Sequence, residues 1–232
     1  MGNVLAVAHR GFSYIYPENT ILSFEKAALA GVDFIELDVR ETIDGKIVVF
    51  HDASAERTTG VKGNISEMTW DEIKQLDAGK WKGYDNVRVP LLEEVMEAMK
   101  GRTRILVEIK EASVSGIISI VKRFVMEDDV IIGSFRIGHL EETRALSPRI
   151  STALISSGFP EKPGLLLEEG IPILDLGYRR MDINVASLFI SRGISLGVWT
   201  VDDETDMKNM LALPITFLTT NRPDLLLRLQ GR

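Results

Sequence analysis

The 232-residue sequence predicts a single α/β domain of (β/α)8 TIM-barrel type, with a small insertion after its second strand. Three observations lead there. Short apolar runs alternate with segments of helical spacing along most of the chain. The runs number eight once one hairpin strand is assigned to the insertion, and eight strands each followed by a helix describe a closed barrel. No G-x-G-x-x-G follows an early strand, which argues against an open doubly wound sheet.

Taken in order, Val4 to Ala8 is a strand that stops at His9-Arg10-Gly11. Thr20 to Ala30 places Ile21, Phe24 and Ala28 at helical spacing, with Asn19 or Thr20 as N-cap and Gly31 as the stop. The second strand, 33–39, contains Phe34-Ile35-Glu36-Leu37-Asp38-Val39. Strand side chains alternate, so Glu36 and Asp38 share a face with Phe34 while Ile35, Leu37 and Val39 take the other. Two carboxylates on one half-buried face repel unless something positive sits between them.

Asp44-Gly45 then signals a tight hairpin into the run Ile47-Val48-Val49-Phe50. With Asp44 and Gly45 as the two loop residues, Ile43 faces Lys46 and Asp38 faces His51. Residues 41–90 read as an insertion over the barrel mouth, within one catalytic domain spanning 1–232. Inside it a helix is expected over Trp70 to Ala78, marked by a Thr69/Glu72 capping box, a Met68/Ile73 staple and Gly79 at its end. Pro90 opens a helix from Leu91 to Lys100, closed by Gly101. Further strands are expected at 104–110, 129–134, 150–155, 172–176, 195–201 and 215–219. Helices fall near 115–127, 137–146, 163–169, 182–191 and 203–211, with a last one after Pro223.

Composition narrows the function. Hydrophobic residues at 45% and charged residues at 26% suit a globular chain that buries a full core. A formal charge of -7 gives no reason to expect nucleic acid or an anionic membrane as partner. The absence of cysteine excludes disulfides and thiolate ligands and fits a cytoplasmic location. No apolar run reaches the ~18 residues of a membrane span, and no secretory signal opens the chain. Gly2 invites a myristoylation reading, which the apolar strand and Arg10 just beyond it disfavour. A small-molecule substrate without a stable membrane anchor is therefore expected, and a homo-oligomer is compatible with the sequence.

In a barrel the functional mouth lies at the C-terminal strand ends. His9 and Arg10 end the first strand, Glu36 and Asp38 lie late in the second, Glu108 and Lys110 end the third, and Trp199 with Thr200 ends the seventh. Simpler readings stand beside these: Glu108 and Lys110 could be an ion pair alone, and Trp199 a core aromatic. His139 reads as a surface histidine, and Asp202, Asp203 and Glu204 as helix-capping acids. Glu36, Asp38 and Glu108 together make a hard oxygen site suited to Mg²⁺ or Ca²⁺. Arg10 and Lys110 beside it suit a phosphate, and His9 with His51 can supply a general acid and a general base. Metal, cations and an acid/base pair describe phosphodiester cleavage.

The ordered set His9-Arg10-Gly11, Pro17-Glu18-Asn19-Thr20, Glu36-Leu37-Asp38-Val39, His51-Asp52 with Arg57-Thr58-Thr59, and Glu108-Ile109-Lys110 resembles the glycerophosphodiester phosphodiesterase family. The likeness continues through Leu76-Asp77-Ala78-Gly79, Ser134-Phe135, Val198-Trp199-Thr200-Val201 and Thr220-Asn221-Arg222-Pro223, covering nearly the whole chain. It implies that Glu36, Asp38 and Glu108 hold the divalent cation, that His9 and His51 exchange protons, and that Arg10 and Lys110 bind phosphate; Trp199, at the end of its strand, is a candidate substrate contact from its position. It also implies a substrate, the deacylated phospholipid headgroup, and a product, sn-glycerol 3-phosphate, reached through a cyclic phosphate as in the related phosphoinositide phospholipases. Family members often carry Asp where Asn221 and Arg136 stand here. Two alternatives remain: a phospholipase of D or C type acting on intact lipids, and a barrel that binds phosphodiesters without turnover.

Overall fold

The computed structural model describes residues 4–160 and 164–232. Its strands are β1 (Leu5–Ala8), β2 (Phe34–Glu41), β3 (Ile47–Val49), β4 (Arg104–Glu111), β5 (Val130–Ser134), β6 (Ser151–Ser156), β7 (Ile173–Gly177), β8 (Ser195–Trp199) and β9 (Phe217–Thr220). Eight of them pair in parallel in the order β1-β2-β4-β5-β6-β7-β8-β9, and β1 bonds both β2 and β9, so the sheet closes. A helix follows each barrel strand, from Ile21–Ala30 after β1 to Pro223–Leu229 after β9. This is the (β/α)8 barrel the alternation predicts.

The two faces of β2 explain its register. Phe34 packs inside the barrel with Val7, Leu106, Ile131, Ile173 and Phe217. Ile35, Leu37 and Val39 point outward beneath the helices, packing with Phe24, Met96 and Ile117. A slip by one residue would drive Glu36 and Asp38 under the helices and expose three apolar side chains to the mouth. Each such side chain contributes ~1.5–3 kcal/mol by burial, so the acids are fixed toward the mouth by their apolar neighbours.

β1 is short, and β2 outlasts it. Phe34 and Ile35 bond β1, whereas Val39, Arg40 and Glu41 use the same edge for the antiparallel β3, which lies outside the barrel. The hairpin register differs from the expectation by one residue. Thr42 pairs with Lys46 around a three-residue loop, Ile43-Asp44-Gly45, and Phe50 N bonds Asp38 O, so Asp38 faces Phe50 and not His51. The cause is local: the Thr42 hydroxyl donates to Asp44 Oδ1 at 2.6 Å and accepts from Lys46 N at 2.9 Å, while Gly45 takes the left-handed conformation at φ 74. His51 still reaches the mouth, because the strand ends and the chain turns inward there.

Beyond β3 the chain builds a small core of its own from Val48, Phe50, Ile65, Ile73, Leu76 and Val89. The helix expected over 70–78 is only one turn, Trp70–Ile73. Its start is as expected, with Glu72 accepting from Thr69 N and Oγ1. It ends early because Asp77 turns back to accept from Gly79 N, Asn86 N and Val87 N, which holds that stretch as a turn. The helix expected over 115–127 stops at Phe124, where Val125 adopts the left-handed conformation of a cap. Thr20 is the N-cap of the first helix. The expected helix start at 163 and the Gly2 reading lie outside the described residues. No described helix is long and apolar enough to cross a membrane.

Candidate functional site

The strand ends deliver the polar groups to one cleft of about 280 Å³. On one side it is bounded by His9, Arg10, Glu36, His51, Glu108 and Lys110. Across from them stand Phe135, Ile155, Asp175 and Trp199. Every residue expected at the site borders it except Asp38, which lies buried behind the first group.

Glu36, Asp38 and Glu108 are all buried, and each offers an oxygen within 4.8 Å of the others. Their register is direct, since Asp38 on β2 pairs with Glu108 on β4. Burial, with the charges of Asp38 and Glu108, pushes the Glu36 carboxyl well above the usual carboxylate range. Burial and Asp38 likewise raise Glu108. Burial opposes the charged form of Asp38 too, yet Arg10 and Lys110 outweigh it and hold that carboxyl low. Two cations thus compensate one acid of three. Glu36 Oε1 is buried without a hydrogen-bond donor, and Asp38 Oδ1, although the Lys110 ammonium lies 3.3 Å away, accepts no hydrogen bond, a state in which a divalent cation would satisfy both. The donors are oxygen only, so the set fits a hard cation.

Arg10 stands at the centre of the charge network. Its backbone is left-handed at φ 55, a conformation uncommon outside glycine, and this turns its N–H onto Glu36 Oε2 at 2.8 Å. The guanidinium lies 3.1 Å from Asp38 Oδ2 and donates to Glu18 Oε1 at 2.8 Å. Lys110 Nζ lies 3.3 Å from Asp38 Oδ1 and also donates to Glu108 Oε1. Asn19 completes the shell of Asp38, donating from Nδ2 to Oδ2 at 2.8 Å.

Both histidines are held by Nδ1. His9 Nδ1 lies 2.8 Å from Asn221 Oδ1, and Asn221 Nδ2 donates to Asp202 Oδ2 at 2.6 Å. Because a carboxylate only accepts, the amide can present only its oxygen to His9, so Nδ1 carries the proton and Nε2 is the free lone pair. That Nε2 is 4.0 Å from Glu36 Oε2. Burial and the adjacent Arg10 lower His9 to about 4, leaving the ring neutral near pH 7. His51 Nδ1 bonds Asp52 Oδ1 at 2.6 Å, which leaves its Nε2 free as well. Burial lowers His51 overall, although Asp38 and Asp52 oppose the shift. Asp52 is in turn gripped by Arg57, from Nε at 2.5 Å and Nη2 at 3.2 Å. Burial would raise its carboxyl, but the Arg57 hydrogen bonds dominate and hold it at about 2. Arg57 reaches on to both oxygens of Glu18, at 2.7 and 3.0 Å. One chain of charges, His51-Asp52-Arg57-Glu18-Arg10, therefore ties the segment after β3 to the loop after β1.

Comparison with known proteins decides the family. The glycerophosphoryl diester phosphodiesterase family model matches residues 9–225. The chain belongs to that family. A glycerophosphodiester phosphodiesterase of Caldanaerobacter subterraneus subsp. tengcongensis is 34% identical over 97% of each chain, and one of Bacillus altitudinis is 34% identical over 94% of each. Among solved structures, a phosphodiesterase of Oleispira antarctica in complex with the product sn-glycerol-3-phosphate superposes with a TM-score of 0.94 at 26% identity, covering 98% of this chain and 97% of that one.

Within this family framework, several site residues have no role in the sequence reading. Asp203 caps the helix after β8, as expected, by accepting from Thr205 N and Asp206 N. Asp202 does not cap it. Its oxygens take Thr220 Oγ1, Asn221 N and Asn221 Nδ2, so it sets the amide that holds His9. Ser13 adds a hydroxyl to Asn221 Oδ1 at 2.7 Å. Asp52 and Arg57 were visible only as neighbours of His51, and nothing in their spacing reveals Glu18 between two arginines. Asp175 is an acid at an inward position of an otherwise apolar strand, the one signal in the sequence that marks it. Burial and Glu108 push its carboxyl up to about 7. His139 is half-buried, with Nδ1 2.9 Å from Ser134 Oγ at the end of β5, and plays no part in the cleft. Trp199 is a wall of the cleft: its indole donates to Asp175 O at 3.1 Å and meets Phe135 edge to face at 5.9 Å.

Proposed function

We propose that this chain cleaves glycerophosphodiesters into sn-glycerol 3-phosphate and an alcohol, with His9 and His51 exchanging the protons. The observation that carries the reading is the pair of imidazoles with free Nε2 atoms in one cleft with two cations and a buried acid triad, in a chain of this family. Glu36, Asp38 and Glu108 would hold one divalent cation, Mg²⁺ or Ca²⁺. When bound, such an ion neutralises the triad and acts as a Lewis acid toward a phosphoryl oxygen.

Arg10 and Lys110, oriented by Asp38 between them, take the non-bridging phosphate oxygens and stabilise the charge that grows there. Trp199 supports the carbon skeleton. The glycerol hydroxyl next to the phosphate ester attacks phosphorus, an attack favoured because the nucleophile is already tethered. His9, kept neutral and presenting Nε2, takes that hydroxyl's proton. As the new O–P bond forms, the bond to the alcohol oxygen breaks and His51, entering the step as the imidazolium with a proton on Nε2, gives that oxygen the proton. The Asp52 carboxylate behind His51 stabilises the imidazolium this requires. Water then opens the cyclic phosphate with the roles reversed: His51 takes a proton from water and His9 returns one to the glycerol oxygen, so both rings end as they began.

Residues 41–90 act as an insertion within the single catalytic domain, delivering His51 and clamping it through Arg57 and Glu18. The experiment that tests this route compares glycerophosphocholine with its 2-O-methyl glycerol analogue. The parent should be turned over and the methyl ether should be inert; equal hydrolysis of both would exclude attack by the glycerol hydroxyl.

A further inference from the structure

We propose that Asp175 is a hydroxyl-recognition residue: from the wall opposite the acid triad, its side chain hydrogen-bonds an alcohol hydroxyl of the bound phosphodiester. The proposal rests on the phosphodiesterase reading and assigns one determinant of its specificity.

Position comes first. β7 lies four strands from β2 in either direction around the barrel, so Asp175 faces Glu36 and Asp38 from the far side. It is 5% exposed, borders the cleft, and its Oδ1 is buried without a partner. Among the described residues no Lys, Arg or His makes an ion pair with it. A buried polar atom left unbonded costs ~1–3 kcal/mol, so its retention at the wall of a cleft points to a partner that arrives with the ligand.

Space has been kept for this group. Gly197 pairs with Asp175 on the neighbouring strand, and a Cβ at Gly197 would lie 2.4 Å from Oδ1. Any larger residue there would displace the carboxyl. The Trp199 indole, anchored on Asp175 O, stands over the same corner.

Chemistry selects the ligand class. A phosphate is served by Arg10 and Lys110 on the other wall, and an acid without a cation partner offers an anion little. Burial favours the neutral carboxyl, which both donates and accepts, as an alcohol hydroxyl does. The surrounding Leu106, Ile155 and Phe135 suit carbon chains. The hydroxyl can come from the terminal position of the glycerol or from the departing alcohol.

The test measures kcat/KM of wild type, Asp175→Leu and Asp175→Asn on three substrates. These are glycerophosphocholine, glycerophosphoglycerol, and propane-1,2-diol phosphocholine, which keeps the attacking hydroxyl and lacks the terminal one. Asp175→Leu should lose about 10-fold wherever the recognised hydroxyl is present, Asp175→Asn should recover most of it, and Tm should not fall in either variant. A loss on both glycerol diesters that vanishes with the propanediol analogue assigns the glycerol hydroxyl. A loss confined to glycerophosphoglycerol assigns the leaving alcohol. Equal losses on all three, or none on any, overturn the proposal. Absence of wild-type turnover on all three removes the phosphodiesterase reading, and this inference with it.

Discussion

His9→Ala and His51→Ala should each lower kcat on glycerophosphocholine by ~10²–10⁴-fold, the range for a positioned general acid or base. The two losses should separate when the leaving group is changed. A p-nitrophenyl ester departs without a proton, so the His51→Ala penalty should shrink markedly on glycerophospho-p-nitrophenol while that of His9→Ala persists. The asymmetry follows from their supports: Asp52 backs His51 with a charge, whereas Asn221 backs His9 with a neutral amide. Asn221→Leu should leave the fold intact and lower kcat, because Asp202 then has no means of fixing the His9 tautomer. Nitrogen-15 NMR of the imidazoles checks this, with a single Nδ1–H tautomer expected for His9 in the wild type and a mixture in the variant. A unique Nδ1–H form in Asn221→Leu would remove the relay from the account.

The second large effect is on stability, and its sign follows from the direction of each shift. Glu36 and Glu108 are raised in the folded state, so folding favours their protonated forms and stability falls as pH rises from the ordinary carboxylate value of ~4.3 through their folded values. Asp38 is depressed, so its contribution is present above its unfolded value and is lost only as pH falls through the folded one. Metal-free protein should therefore melt lower at neutral pH than Glu36→Gln, which removes one of the crowded charges. Adding Mg²⁺ or Ca²⁺ at ~100 times its Kd should stabilise the wild type by ~2.7 kcal/mol. At ~2–4 °C per kcal/mol that is a Tm rise of ~5–10 °C. The rise should diminish toward pH 5 as protons compete for the carboxylates, and Glu36→Gln should show little of it. Thermal melts over pH 5 to 8 with and without each ion make the comparison.

The barrel was legible because its signals are periodic and local. Glu36 and Asp38 sit on the opposite strand face from Ile35, Leu37 and Val39, and alternation alone carries that assignment. Asp38, Glu108 and Lys110 followed from it, because parallel strands place like positions side by side. Contacts made through loops were less legible. The hairpin register turned on whether Ile43 belonged to the loop, and a Thr42-Asp44 hydrogen bond decided it. The helix after Thr69 has a sound start, but its end is set by Asp77 reaching Asn86 and Val87, partners nine and ten residues away. Asp202 and Asn221 are nineteen residues apart, and Asn221 and His9 are separated by 212. Only barrel closure between β1 and β9 brings that relay together, and no spacing rule reports it.

The most direct measurement of the central claim is a phosphorus NMR time course of glycerophosphocholine with the wild-type protein after chelation, followed by return of Mg²⁺ or Ca²⁺. The account predicts no turnover after chelation, and on return of the ion a transient cyclic glycerophosphate that gives way to sn-glycerol 3-phosphate. Undiminished turnover in chelator, or release of phosphocholine with no phosphorus retained on glycerol, would contradict it.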